Sequence, residues 1–145
     1  MSRSLILTIN PGTTTSRLGL FLPEGDGVRP VLDETIDHDE AAMARFDSIA
    51  AQLPFRAAAV LAFLDAIPGG VRLAAVAGRG GMLSPVPAGV IAVDEALVDF
   101  ALHRPVHHHA SNLGAPLALR IAEAAGCPAF VVDPVDGTRN FVHGR

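Results

Sequence analysis

The chain holds a single cysteine, Cys127, among 145 residues. That excludes an internal disulfide and a cysteine-based zinc site, and its position ahead of an apolar run is that of a buried structural thiol. Charge is also scarce. Asp, Glu, Lys and Arg make up 18%, the formal net charge is −4, and no basic cluster occurs anywhere, which argues against a nucleic-acid-binding surface. No apolar run reaches transmembrane length. The N-terminal one is too short for a signal peptide and is broken at Asn10-Pro11-Gly12. No internal repeat or low-complexity tract is present, and the expectation is a cytoplasmic protein without a membrane partner. Apolar residues make up 50%, enough at this length for one ordinary domain with a real core.

The segment from Leu5 to Phe21 carries the strongest local signal. A buried-type β run, Leu5–Ile9, stops at Asn10-Pro11-Gly12, and Thr13, Thr14, Thr15, Ser16 and Arg17 precede a second run, Leu18–Leu22. That pattern is a strand, a tight polar turn and a strand. Gly12 allows a positive φ. A turn of this kind can aim several backbone N–H groups into one concavity that suits phosphate, with hydroxyl donors and a fixed cation added. A polar surface hairpin would look the same by composition.

Further along, Val28–Ile36 reads as a third strand. The period then changes: Pro54 opens a helix in which Phe55, Ala59, Phe63 and Ile67 recur at i+4, with Val60 and Leu64 beside them, stopped by Pro68-Gly69-Gly70. Leu73–Ala77 and Val90–Val93 read as short strands, and Asp94 as the cap of a helix over Glu95–Leu102. Ser111 or Asn112 can cap a helix running to Ala125 with Leu113, Leu117 and Ile121 on its apolar stripe; Pro116 is tolerable in its first turn. Cys127–Val132 reads as a final buried strand. A three-stranded antiparallel meander followed by alternating helices and strands indicates an α/β domain with a mixed sheet.

Three places could carry chemistry beside the first loop. Gly78-Arg79-Gly80-Gly81 puts a cation on a glycine-rich turn after a buried strand, where Arg can grip a carboxylate or phosphate through two parallel hydrogen bonds; an arginine in a loop can equally be solvated. The run His107-His108-His109 does not read as a metal site, since neighbouring side chains on a strand point apart. Asp133 stands at the carboxyl end of a strand, where α/β sheets bind ligands, or it caps the turn that follows.

Asn10-Pro11-Gly12-Thr13-Thr14-Thr15-Ser16-Arg17, Val76-Ala77-Gly78-Arg79-Gly80-Gly81-Met82-Leu83-Ser84-Pro85-Val86-Pro87 and His109-Ala110-Ser111-Asn112-Leu113-Gly114-Ala115 together resemble the acetate and butyrate kinase family, and most of all butyrate kinase. The family usually has Lys where Arg17 stands, and a planar guanidinium need not make the same contact. The resemblance implies half of an actin-like (ribonuclease H-like) ATPase fold and transfer of the ATP γ-phosphoryl group to a short-chain carboxylate with Mg²⁺. It places Asn10, Gly12 and the loop through Arg17 on phosphates, and Arg79 at the carboxylate and the transferring group. His109 would face the phosphoryl group in flight, and Asp133 would help organise Mg²⁺. Members of the family work in a cleft between two domains.

The resemblance covers the chain to Val135 and then stops. Asp133-Pro134-Val135-Asp136-Gly137-Thr138-Arg139-Asn140-Phe141-Val142-His143-Gly144 instead resembles the metal motif of the inositol monophosphatase family, in which Asp133 and Asp136 would each ligate Mg²⁺. The expected organisation is an N-terminal acetokinase-type domain over residues 1–135 and a divergent tail over 136–145, the product of a truncation, a frameshift or a gene junction. On that basis the adenosine-binding half is absent and the chain is weakly active or inactive. Two other outcomes stay open: phosphomonoester hydrolysis by the acidic motif, and a non-catalytic orphan domain. The latter would self-associate through an exposed apolar interdomain face, so a homo-oligomer is compatible with the sequence.

Overall fold

A computed structural model describes residues 3–79, 90–103 and 110–132. β1 (Ser4–Pro11), β2 (Thr15–Glu24) and β3 (Gly27–Asp37) form an antiparallel meander, and β1 also pairs in parallel with β4 (Arg72–Arg79). β6 (Ala129–Val132) lies parallel to β4, with β5 (Val90–Ala92) antiparallel at the far edge. The result is a six-stranded mixed sheet in the order β3-β2-β1-β4-β6-β5. This is the meander followed by helix–strand alternation expected from the spacing of the apolar runs, in the mixed α/β class the sequence implies. β1 and β2 alternate as half-buried strands must: Leu7 and Ile9, Leu18 and Leu20 are buried on one face, while Asn10 and Arg17 are exposed on the other.

The buried face is covered by α2 (Leu53–Asp65) and α4 (Gly114–Ala125), which also touch each other. Leu53, Ala57, Val60 and Leu64 of α2 and Leu117, Ala118, Ile121 and Ala122 of α4 close one continuous core over the sheet. The helix stripe expected from Phe55, Ala59 and Phe63 is therefore misplaced: Phe55 is 37% exposed, and the buried face runs through Leu53, Arg56, Ala57, Val60 and Leu64. The helix is apolar nearly all round, so the i+4 pattern did not pick a unique face, and a charged residue on the true face hid it.

Two shorter elements were not foreseen. α1 (Glu40–Met43) is capped by Asp39, whose Oδ2 accepts from the Ala42 N–H at 2.9 Å, and a 3₁₀ turn over Ala50–Gln52 leads into α2. α3 (Glu95–His103) begins as expected, with Asp94 Oδ1 accepting the Leu97 N–H at 2.8 Å. The cap expected at Ser111 or Asn112 is not used by α4. A 3₁₀ turn over Ala110–Leu113 comes first, and Leu113 takes the cap position. The helix ends at Gly126 in the left-handed region, φ 75°. Cys127 is half-buried, and burial pushes its thiol pKa up, as suits a structural thiol.

Candidate functional site

The link between β1 and β2 spans only Gly12–Thr14. The Gly12 N–H donates to the Thr15 carbonyl at 2.8 Å, and Asn10 and Arg17 stand opposite each other at the mouth of the hairpin. Gly12 is not in the left-handed region, contrary to the expectation of a positive φ. Its lack of a side chain matters for space instead: a Cβ there would sit 2.7 Å from Thr15 Oγ1.

The loop is held from beneath by Arg56 of α2, which is 0% exposed. Its Nη2 donates to the carbonyls of Gly12 (2.7 Å) and Thr13 (2.9 Å), and its Nη1 to the Thr15 carbonyl (2.8 Å) and Ser16 Oγ (3.3 Å). Its Nε donates to Gln52 Oε1 at 3.0 Å. The five donors of the guanidinium thus meet five acceptors, and all of them are neutral. Burial pushes the Arg56 pKa down to about 10, so the group is still a cation at neutral pH. The fourth loop carbonyl, that of Thr14, accepts the His38 backbone N–H at 2.8 Å.

Ser16 and His38 complete this buried cluster. Ser16 is 0% exposed, and its Oγ lies 2.8 Å from His38 Nε2. The His38 ring meets Phe55 edge-on at 5.5 Å. Burial and the Arg56 charge hold the His38 pKa below its ordinary value, against an opposing pull from Asp37. The same surroundings favour the neutral imidazole. Ser16, expected to offer its hydroxyl to a phosphate, is thus turned to the core side of the sheet.

On the other face, a cleft of about 440 Å³ is lined by Asn10 of β1, Arg17 of β2, Asp33 of β3 and Arg79 at the end of β4, with Thr8 and Phe21 among its walls. Parallel pairing of β1 with β4, Ile9 opposite Gly78, brings Asn10 and Arg79 to the same end of the sheet. Arg17 is exposed and grips Asp33 with two parallel bonds, Nε to Oδ1 at 3.1 Å and Nη2 to Oδ2 at 2.7 Å. Hydrogen bonding to Arg17 holds the Asp33 carboxyl below the usual carboxylate range. The cation of the loop is therefore engaged, though solvent-screened and exchangeable.

A close approach of two backbones sets Arg79 in place. A side chain at Gly78 would overlap the Gly114 carbonyl, and one at Gly114 would overlap that of Arg79. Only glycine at both positions lets the start of α4 press against the end of β4. Ala110 and Leu113, just ahead of that contact, are buried. The sequence-expected residues Asn10, Arg17 and Arg79 thus share one cleft, Thr13, Thr14 and Thr15 sit on the adjoining loop, and Ser16 faces inward. His109, Asp133 and Asp136 lie outside the described residues. Among the described residues no group of three or more His, Cys, Asp or Glu side chains could hold a metal ion, and no helix is long and apolar enough to cross a membrane.

A probable butyrate kinase of Coprothermobacter proteolyticus is 42% identical to this chain over 131 residues, which are 90% of the chain and 36% of that protein. The chain is related in sequence to butyrate kinase. It spans little more than a third of that relative's length, so the relation to butyrate kinase concerns one part of such an enzyme. No protein-family model matches the chain. Among solved structures, Porphyromonas gingivalis acetate kinase is similar over 89% of this chain and 37% of its own, at 14% identity and a TM-score of 0.45. Thermus thermophilus RuvC in complex with a Holliday junction substrate is similar over 90% of this chain and 66% of its own, at 19% identity and a TM-score of 0.49.

Arg56, His38, Gln52 and Asp33 are the site residues that sequence reasoning missed. The available signal was a single charged residue, Arg56, flanked at helical spacing by Leu53, Ala57 and Val60. A lone arginine on an otherwise apolar helix face must find acceptors or unfold the face.

Proposed function

We propose that this chain is the phosphate- and carboxylate-binding part of a butyrate-kinase-like phosphotransferase, which converts ATP and a short-chain carboxylate to ADP and an acyl phosphate. The observation that carries the proposal is the convergence of Asn10, Arg17 and Arg79 on one cleft at the end of the parallel strand pair β1–β4, in a chain 42% identical to a probable butyrate kinase. The site fits a polyphosphate: a fully buried guanidinium with only neutral acceptors underlies the loop, and two exposed arginines line the cleft beside it.

In this proposal Asn10 and the Gly12–Arg17 loop hold phosphate oxygens, with Ser16 contributing from behind as part of the buried support. Arg79 holds the carboxylate and the transferring group, where a fork-shaped cation matches either by two parallel bonds. His109 faces the transferring group, and Asp133 organises Mg²⁺. ATP supplies the phosphoryl group, and Mg²⁺ neutralises charge on its oxygens. Position and charge carry such a transfer, with little covalent work for the protein. Residues 1–135 form the acetokinase-type domain, and the reaction is cytoplasmic.

The test is hydroxylamine trapping of acyl phosphate from ATP, Mg²⁺ and butyrate, alongside calorimetric titration with inorganic pyrophosphate. The expected result is pyrophosphate binding that is lost in Arg79→Ala, with little turnover from the chain alone. Turnover near that of an intact butyrate kinase would overturn the assignment of this chain as one part of the enzyme. Absence of pyrophosphate binding would overturn the phosphate-binding role itself.

A further inference from the structure

A peptide plane has two ends. In a trans peptide the carbonyl of one residue and the N–H of the next point in opposite directions. Arg56 holds the carbonyls of Gly12 and Thr13 at 2.7 and 2.9 Å, so the N–H groups of Thr13 and Thr14 are turned away from the core. A third bond, to the Thr15 carbonyl, and a fourth, to Ser16 Oγ, pin the far side of the same loop. An unsupported polar hairpin could rotate these planes freely. This one cannot do so without stranding a buried cation.

We propose that Arg56 is a positioning residue: it fixes the loop with its carbonyl ends inward and its amide ends outward, so that an anion meets N–H groups on the outer side, while Arg56 touches no ligand itself. Three features support this. The guanidinium is fully buried, so it serves no solvent-facing role. Its acceptors among the described residues are neutral, so its charge is left uncompensated beneath the loop and attracts an anion placed beyond it. His38 holds a further carbonyl of the loop, its backbone N–H donating to that of Thr14 at 2.8 Å. The anion end of the inference rests on the phosphate reading of the loop proposed above.

The experiment compares the wild-type chain with Arg56→Lys, Arg56→Met and Arg56→Ala, the last with and without added guanidinium ion. Two readouts are taken: amide hydrogen exchange at Thr13 and Thr14, and affinity for inorganic pyrophosphate. Arg56→Lys is expected to keep the fold and weaken pyrophosphate binding by about tenfold, the scale of losing one or two charge-assisted bonds. Arg56→Met is expected to weaken it further, and both variants to change exchange at Thr13 and Thr14. Guanidinium should restore part of the binding to Arg56→Ala, which a general loss of stability would not allow. Unchanged exchange and affinity in a folded Arg56→Met would overturn the inference, as would weakened binding with loop exchange unchanged.

If the substituted chains do not fold, the wild type still decides. The Arg56 guanidinium protons must be individually resolved and slow to exchange in nitrogen-detected NMR; rapid exchange or free rotation would overturn the proposed clamp. A wild-type chain that binds no pyrophosphate would overturn the phosphate reading and leave the role of Arg56 to the exchange data, so the two failures are distinguishable.

Discussion

Ser16 Oγ lies 2.8 Å from His38 Nε2 on the side of the sheet away from the cleft. One member of the hydroxyl run that marks the loop is therefore a structural member, tied to a neutral histidine and to Arg56. This pair makes the stability of the domain depend on pH. Burial and Arg56 lower the His38 pKa in the fold below the ordinary imidazole value of about 6.5, so between the folded pKa and that value the unfolded chain binds more protons. Stability is fully present above pH 6.5 and falls as pH drops through that window. Thermal unfolding at a series of pH values should show the decline, and His38→Gln should flatten it. An equal slope in both proteins would exclude His38 as its source.

Gly78→Ala and Gly114→Ala are each expected to destabilise the domain by about 1–3 kcal/mol, the cost of forcing atoms into a packed contact. The overlap in each case is with backbone, which cannot swing aside. Urea unfolding measures it. The double variant should cost less than the sum, because both changes force apart the same β4–α4 contact; strict additivity would mean that the two glycines do not share it.

Asp33→Asn should tighten pyrophosphate binding a few-fold. The Arg17–Asp33 pair lies on the exposed surface, where ion pairs contribute little to folding, so the unfolding midpoint should stay in place. Releasing Arg17 and removing a negative charge from the cleft both favour an anion. Weaker binding on calorimetry would show that Arg17 does not face the ligand.

Arg79→Lys should keep the fold and still lose most anion affinity. Arg79 is exposed at the end of β4, so the backbone gains nothing from its head group. A point charge cannot reproduce two parallel bonds to a carboxylate or phosphate. Retention of full affinity by lysine would mean that charge alone is recognised there.

The sheet was legible because most of its strands are apolar runs cut by turn residues. Arg79 was legible because glycines bracket it. Arg56 was not, since a pattern built on apolar recurrence discounts a charged residue; it reads as solvent-facing until its five acceptors are seen. Phe55 was misplaced for the complementary reason: it is large and apolar but lies beside Phe46 and His38 at the rim of α2. Gly12 was read as a conformational need and proved to be a need for room. The Arg56 miss concerns loop acceptors some forty residues away in sequence, which no local window contains.

The clamp on the loop crosses 41 to 44 residues of chain, from Thr15 and Gly12 to Arg56. A hairpin between β1 and β2 can close early, since its ends are near in sequence. Its tip cannot settle until β3 has been laid down and α2 has docked with its arginine inward. The clamped shape of the loop is thus acquired late in folding and only together with the core, so a partly folded chain would present the motif without its geometry.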